Sequence, residues 1–225
     1  MIADIGGYTE YMQFHRSVLG HAEAATSRML DKVVSAARGF ELIEIEGDAA
    51  FLSRDAAALG SQDPVLVVTS AAVAMHGAFH RERQLVQRNM CPCGSCKQTS
   101  DLKLKFVAHV GEVATQTIRR RRKLVGLDVI HVHRMLKNPV AVPEYLLVTD
   151  ELHGTASPAA AMHGVDLDLE GIGQVRTHFV DVGDLAAPPA PPSWPQRIGG
   201  TFAMVGRGLP YAVGWRRAPA LAPVG

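Results

Sequence analysis

The chain has 225 residues, 47% of them hydrophobic, and its 23 Lys and Arg against 22 Asp and Glu leave a formal net charge of +1. That length builds one well-cored domain with an appendage rather than two domains. Near-zero charge supplies no global field for nucleic acid or an acidic membrane, so nucleic acid is not expected as a partner and any charge-driven chemistry must be local. No stretch of ~18 or more apolar residues is present, and Met1 leads directly into Ile2-Ala3-Asp4, so a cytoplasmic protein without a transmembrane segment is expected.

In chain order, Ile2 to Ile5 reads as a short strand that ends in the glycines Gly6 and Gly7. Ala25, Met29, Leu30, Val33, Val34 and Ala37 recur at helical spacing and Gly39 follows as a stop, which predicts a helix over roughly 20–38. Ile43-Glu44-Ile45-Glu46 alternates as a strand, Gly47-Asp48 is a hairpin dipeptide, and Ala49 to Leu52 returns as the partner. Asp63-Pro64 suits the cap and first turn of a second long helix, with Val65, Val68, Ala72, Met75 and Phe79 as its buried stripe.

The segment Cys91-Pro92-Cys93-Gly94-Ser95-Cys96 interrupts the pattern within an insertion over 89–100. Three cysteines are an odd set and a poor disulfide framework, which fits a reducing compartment. Three thiolates this close can face one Zn²⁺ if a fourth ligand such as His80 or a partner-chain residue joins them; otherwise they are loop thiols open to redox chemistry. Leu102, Leu104, Phe106, Ala108 and Val110 then alternate along a half-buried strand, Val125 to Leu136 reads as a helix, and Tyr145–Val148 and Val175–Val182 read as short strands. The basic run Arg119 to Lys123 reads as a solvated hairpin tip or as a phosphate contact. Strands and helices in this order predict an α+β fold, helices packed on a mostly antiparallel sheet, over 1–185. From 186 the composition turns Pro-rich, a polyproline-type linker expected to hold the tail away from the core.

Two segments carry chemistry. Asp4 stands at a strand end before Gly6, Gly7, Tyr8 and Thr9, a turn that can offer backbone N–H groups to phosphates beside a metal-holding carboxylate. Glu44-Ile45-Glu46-Gly47-Asp48 places a second carboxylate at a hairpin tip, and a pair of Asp residues with substrate phosphates suits Mg²⁺. These segments, with 126–135 and 171–179, resemble the motifs of class III adenylate/guanylate cyclases in the right order over about residues 1–182. The cysteine insertion and the run Val132 to Asn138 also resemble an uncharacterised bacterial branch of that superfamily.

The resemblance implies a ferredoxin-like cyclase fold and a homodimer with the site between protomers. It further implies that Asp4, Asp48 and the Ile5 carbonyl hold two Mg²⁺ or Mn²⁺ ions, that Gly6, Gly7, Tyr8 and Thr9 line the nucleotide, that Glu44 reads a purine base with Lys123 at the second base position, and that Arg134 is the transition-state arginine. It would convert GTP or ATP to a 3′,5′-cyclic nucleotide and pyrophosphate. The chain departs from the pattern at Ile130, where the family has a ribose-orienting Asn, and at Glu170 and Ile172, where it has a triphosphate-binding Lys. Lys123 matches neither the guanine nor the adenine pattern. Two alternatives follow: a catalytically degenerate nucleotide- or metal-binding signalling module, and a zinc or thiol sensor built on Cys91, Cys93 and Cys96.

Overall fold

A computed structural model describes residues 1–15, 19–89, 94–154, 162–187 and 189–202. Its frame is a seven-stranded sheet of order β2-β3-β1-β4-β7-β9-β8. Every neighbouring pair is antiparallel except β4 and β7. The strands are β1 (Ile2–Gly6), β2 (Glu41–Glu46), β3 (Ala49–Ser53), β4 (Lys103–Ala108), β7 (Tyr145–Thr149), β8 (His163–Leu169) and β9 (Gly173–Asp181). A separate hairpin pairs β5 (Ala114–Ile118) with β6 (Arg121–Val125). The α+β expectation and its mostly antiparallel sheet are what the structure has.

One face of the sheet is covered by two helices, α2 (Leu19–Ala36) and α3 (Pro64–Gln87). Ala22, Ala25, Met29 and Val33 line α2 at helical spacing and are fully buried against Val68, Ala72, Met75 and Phe79 of α3. Asp63 caps α3 by accepting from the Val65 amide at 2.9 Å, and Pro64 takes the first turn, where its missing N–H costs nothing. Period-two alternation decides which core each strand residue enters. Ala3, Ile5, Leu104, Phe106 and Leu146 enter this helical core, whereas Ile2, Phe51, Val107 and Leu147 enter a second core on the opposite face. That second core is closed by Val132 and Met135, on and just after α5 (Leu127–Arg134).

Several boundaries differ from the sequence reading. Val125 ends β6, Gly126 turns the chain at φ 146°, and helix begins at Leu127, so the expected helix over Val125–Leu136 is shorter at both ends. The short helices are α1 (Tyr8–Phe14), α4 (Gly94–Gln98), α6 (Asp150–His153) and α7 (Val182–Leu185). After the prolines, 194–202 is helical and comes back: Arg197 Nε donates to the Arg88 carbonyl at 2.9 Å, and Gly200 is buried. The tail therefore starts against α3 instead of standing off, because polyproline-type backbone sets the stiffness of a spacer but not its direction. The rest of the tail, and Cys91 and Cys93, lie outside the described residues.

Candidate functional site

The turn from β1 into α1 and the tip of the β2–β3 hairpin meet at one end of the sheet. Asp4 opposes Ala49 across β1–β3, and the Ile5 amide donates to the Asp48 carbonyl at 3.2 Å, which holds the hairpin tip beside β1. Gly7 has φ 81° and Gly47 φ 63°, conformations that side chains resist, so both turns require the glycine the sequence supplies. Tyr8 sits close by: burial, with the charges of Asp48 and Glu23, raises its hydroxyl pKa above the ordinary value. Gly7 and Thr9 are exposed beside it.

Register also puts Lys105 of β4 opposite Asp4, on the face of the second core, and its Nζ lies 3.0 Å from Asp4 Oδ2. Burial works against the Lys105 charge, but Asp4, through charge and hydrogen bond, outweighs that and raises its pKa. Asp48 has the opposite difficulty. Burial first, then repulsion from Asp4, raise its carboxyl above the usual range, although a backbone hydrogen bond and Lys105 pull the other way. Two carboxylates and one ammonium leave the corner with a net charge of −1.

The other candidates fall in two groups. Glu44 and Lys123 meet, with Nζ 2.9 and 3.1 Å from the two carboxylate oxygens, and Arg122 pairs with Glu41 beside them, so the β5–β6 hairpin is pinned over β2. Arg119 and Arg120 form that hairpin's turn, with φ 45° and 69°, and are exposed. Arg134 instead pairs with Glu170 at 2.9 Å, and Ile130 is 49% exposed. His133 donates from Nδ1 to the Val129 carbonyl at 2.7 Å and places Nε2 3.3 Å from Glu46, at the hairpin that carries Asp48.

Among the described residues, three groups of potential metal-binding side chains have donor atoms within 4.8 Å of one another and are not expected from the sequence as groups: His76–His80–Glu144, His109–Asp128–His131 and Asp150–His153–His178. In the first, burial lowers the His80 pKa, while hydrogen bonds from both imidazoles outweigh burial and hold Glu144 far below the usual carboxylate range. In the second, His109 Nε2 bonds Asp128 at 3.0 Å, Asp128 also accepts from the Glu112 amide at 2.7 Å, and the buried His131 Nε2 has no hydrogen-bond partner among the described residues. A Cβ on Gly111 would collide with the Asp128 carboxylate. The i, i+4 spacing of His76 and His80 was visible in the sequence; Glu144 and His109 are joined to their partners by topology alone.

Cys96 is fully buried, and the Asn89 amide lies 3.5 Å from its sulfur. His15, 3% exposed, has a buried Nε2 without a hydrogen-bond partner among the described residues, and its ring lies next to Gly94 in the cysteine segment. His80, the fourth ligand offered from sequence, is engaged with His76 and Glu144 instead.

The family described as "Protein of unknown function (DUF2652)" matches residues 26–145. The chain belongs to this family. A Mycobacterium tuberculosis relative, "Uncharacterized protein Rv2561/Rv2562", is 38% identical over 196 residues, covering 85% of this chain and 91% of that protein. Among solved structures, the guanylyl cyclase Cya2 superposes with a TM-score of 0.53 at 16% identity, covering 80% of this chain and 88% of that one. The guanylate cyclase domain of RhGC from Catenaria anguillulae in complex with GTP gives 0.53 at 14%, covering 80% and 92%. The catalytic core of a rhodopsin-guanylyl cyclase with converted specificity, in complex with ATPαS, gives 0.54 at 15% with the same coverage. At such identities the likeness is one of fold: the DUF2652 chain folds as a class III nucleotidyl cyclase-like domain. No helix among the described residues is long and apolar enough to cross a membrane.

Proposed function

We propose that the protein is a metal-dependent purine nucleotide cyclase, converting GTP, or less readily ATP, to the 3′,5′-cyclic nucleotide and pyrophosphate between two copies of the chain. The observation that carries this reading is the convergence of Asp4 and Asp48, remote in sequence, at adjacent strand ends with one negative charge uncompensated. That donor set suits Mg²⁺ or Mn²⁺, which take few carboxylates and keep other oxygens, including substrate phosphates. Asp4, Asp48 and the Ile5 carbonyl would hold the metal. When bound, it lowers the pKa of the ribose 3′-hydroxyl and neutralises charge on the departing pyrophosphate.

The chain's own residues account for the rest. The Glu44 carboxylate accepts from guanine N1–H and N2–H, and Lys123, which fits neither purine pattern by itself, is held beside it by the ion pair. Gly6, Gly7, Tyr8 and Thr9 face the nucleotide from the turn after Asp4. The 3′-oxygen bonds to the α-phosphorus, the bond to the β-phosphate oxygen breaks, and the hydroxyl proton passes to water. Arg134 of one copy, released from Glu170, stabilises charge at the phosphorus held by the other copy. An assay of the intact protein with Mn²⁺ and each of ATP, GTP, CTP and UTP tests this; no cyclic product from any of them rejects it.

A second reading, a degenerate module that binds nucleotide and signals without turnover, is favoured by Ile130, which offers hydrocarbon at the ribose-orienting position, and by the exposed Glu170 bound to Arg134. Losing one such donor typically costs about 10²–10³ in rate. Calorimetric binding of a triphosphate without product selects this reading, and no binding removes it. The zinc or thiol reading of Cys91, Cys93 and Cys96 gains a fourth-ligand candidate in His15, whose buried Nε2 has no hydrogen-bond partner among the described residues and whose ring lies next to Gly94. Metal analysis of reduced His15→Ala protein checks it.

A further inference from the structure

Helix α3 carries His76 and His80 one turn apart, both less than 8% exposed, on the side that faces the sheet. Glu144 meets them from the residue before β7. Its main chain is fixed by the Val182 amide, which donates to its carbonyl at 3.0 Å, and its Oε1 accepts from the Leu104 amide of β4 at 3.0 Å. The donor atoms converge closely: His80 Nε2 lies 2.9 Å from His76 Nε2 and 2.8 Å from Glu144 Oε1, and His76 Nε2 lies 3.5 Å from Oε2.

Hydrogen bonding serves the carboxylate, which accepts from both imidazoles, but not the 2.9 Å contact between the two ring nitrogens. An imidazole nitrogen has one in-plane bonding direction and at most one proton, yet His80 Nε2 has two partners within hydrogen-bond distance. If its proton points to Glu144, His76 faces a nitrogen that has no lone pair to offer it. If the nitrogen is bare, its lone pair opposes the carboxylate. A single cation among the three groups satisfies every lone pair at once. Ligands about 2.0–2.1 Å from a tetrahedral Zn²⁺ lie roughly 3.3 Å apart; the two imidazole nitrogens are 2.9 Å apart, and His80 and His76 stand 2.8 and 3.5 Å from different oxygens of the one carboxylate, so a small shift of the carboxylate opens the space for an ion.

We propose that His76, His80 and Glu144 form a buried site for one first-row divalent transition-metal ion, best fitted by Zn²⁺, which clamps α3 to β4 and β7. Two imidazoles and a carboxylate favour such an ion over Mg²⁺ or Ca²⁺, which prefer oxygen ligands. The Leu104 amide acts as the outer partner that orients Glu144. Arg83, one turn further along α3, brings positive charge near the site, but its guanidinium is committed to the Ser100 and Leu102 carbonyls at 2.7 and 2.8 Å. The site is separate from the Asp4–Asp48 corner and independent of any nucleotide chemistry there.

The test uses the full chain carrying Cys91→Ser and Cys93→Ser, stripped with a chelator and titrated with Co²⁺ and then Zn²⁺. The expected result is one equivalent of Co²⁺ with visible d–d bands and no thiolate-to-cobalt charge-transfer band, displacement by Zn²⁺, and a rise in melting temperature with either metal. His76→Gln and Glu144→Gln, each added to that chain, weaken binding by about 100-fold or more, beyond what losing an outer partner costs. Absence of stoichiometric Co²⁺ binding in the cysteine-substituted chain overturns the proposal. So does undiminished binding in both ligand variants when their circular dichroism matches the parent. The cobalt spectrum needs no change at the proposed ligands, so a ligand variant that fails to fold leaves the test intact.

Discussion

Asp48 and Glu144 are both partly buried carboxylates, and the protein treats them in opposite ways. Glu144 receives two imidazole contacts and a backbone amide, and its proton affinity drops far below that of a free carboxylate. Asp48 is left beside a second carboxylate with one lysine between them, and its proton affinity rises. The first arrangement stabilises the fold as it stands. The second is short of positive charge, the condition in which a cation or a cationic complex gains most by arriving.

The largest expected effect breaks the second arrangement. Asp4→Ala and Asp48→Ala each lower Mn²⁺-dependent cyclic nucleotide formation by about 10³-fold or more, to background, since each removes a charge that acts on the reacting groups; chromatographic product analysis reads this directly. Next, Glu144→Gln leaves two imidazoles without their anion and costs about 2–4 kcal/mol, or roughly 5–10 °C in melting temperature, measured without added metal.

The pH dependence of stability sharpens the contrast, because the two groups have opposite signs. The native-state pKa of Glu144 is depressed, so its contribution is fully present above the unfolded carboxylate range, near pH 4.3, and is lost as pH falls toward the native value. That of Asp48 is raised, so its contribution is present below about pH 3.9 and is lost as pH rises through the native value. Asp48→Asn therefore raises the metal-free melting temperature at pH 7 while abolishing stabilisation by Mn²⁺. The smallest effect is at the base-reading pair. Lys123→Met changes stability by under about 0.5 kcal/mol, as for other exposed pairs, but shifts the ratio of GTP to ATP use.

Those residues differ in how far the sequence exposed them. Asp48 was legible because Ile43-Glu44-Ile45-Glu46-Gly47 alternates into a glycine turn, a local signal that fixes the hairpin and its tip. The strand β4 was legible for the same reason. The strand β8 carries the same kind of signal, since Val165, Leu167 and Leu169 alternate with exposed residues. The hairpin β5–β6 left little to find, since every residue of β5 is exposed and no buried face sets a period. The tie between Lys105 and Asp4 depends on register across β1–β4, and Glu144 reaches His80 only because β7 lies beside β4. Pairings over such separations are decided by topology, which local periodicity does not encode.

The strand order has one more consequence, for how copies of the chain can meet. The two outer strands, β2 and β8, carry Glu41, Glu44 and Glu46 on one side and Asp166 and Asp168 on the other. Extending the sheet by joining these rims would crowd charged side chains that already hold partners, Glu41 with Arg122, Glu44 with Lys123 and Asp166 with Arg176, which disfavours open-ended stacking of the kind that leads to fibrils. Both outer strands of the sheet are thereby guarded against pairing with a further strand.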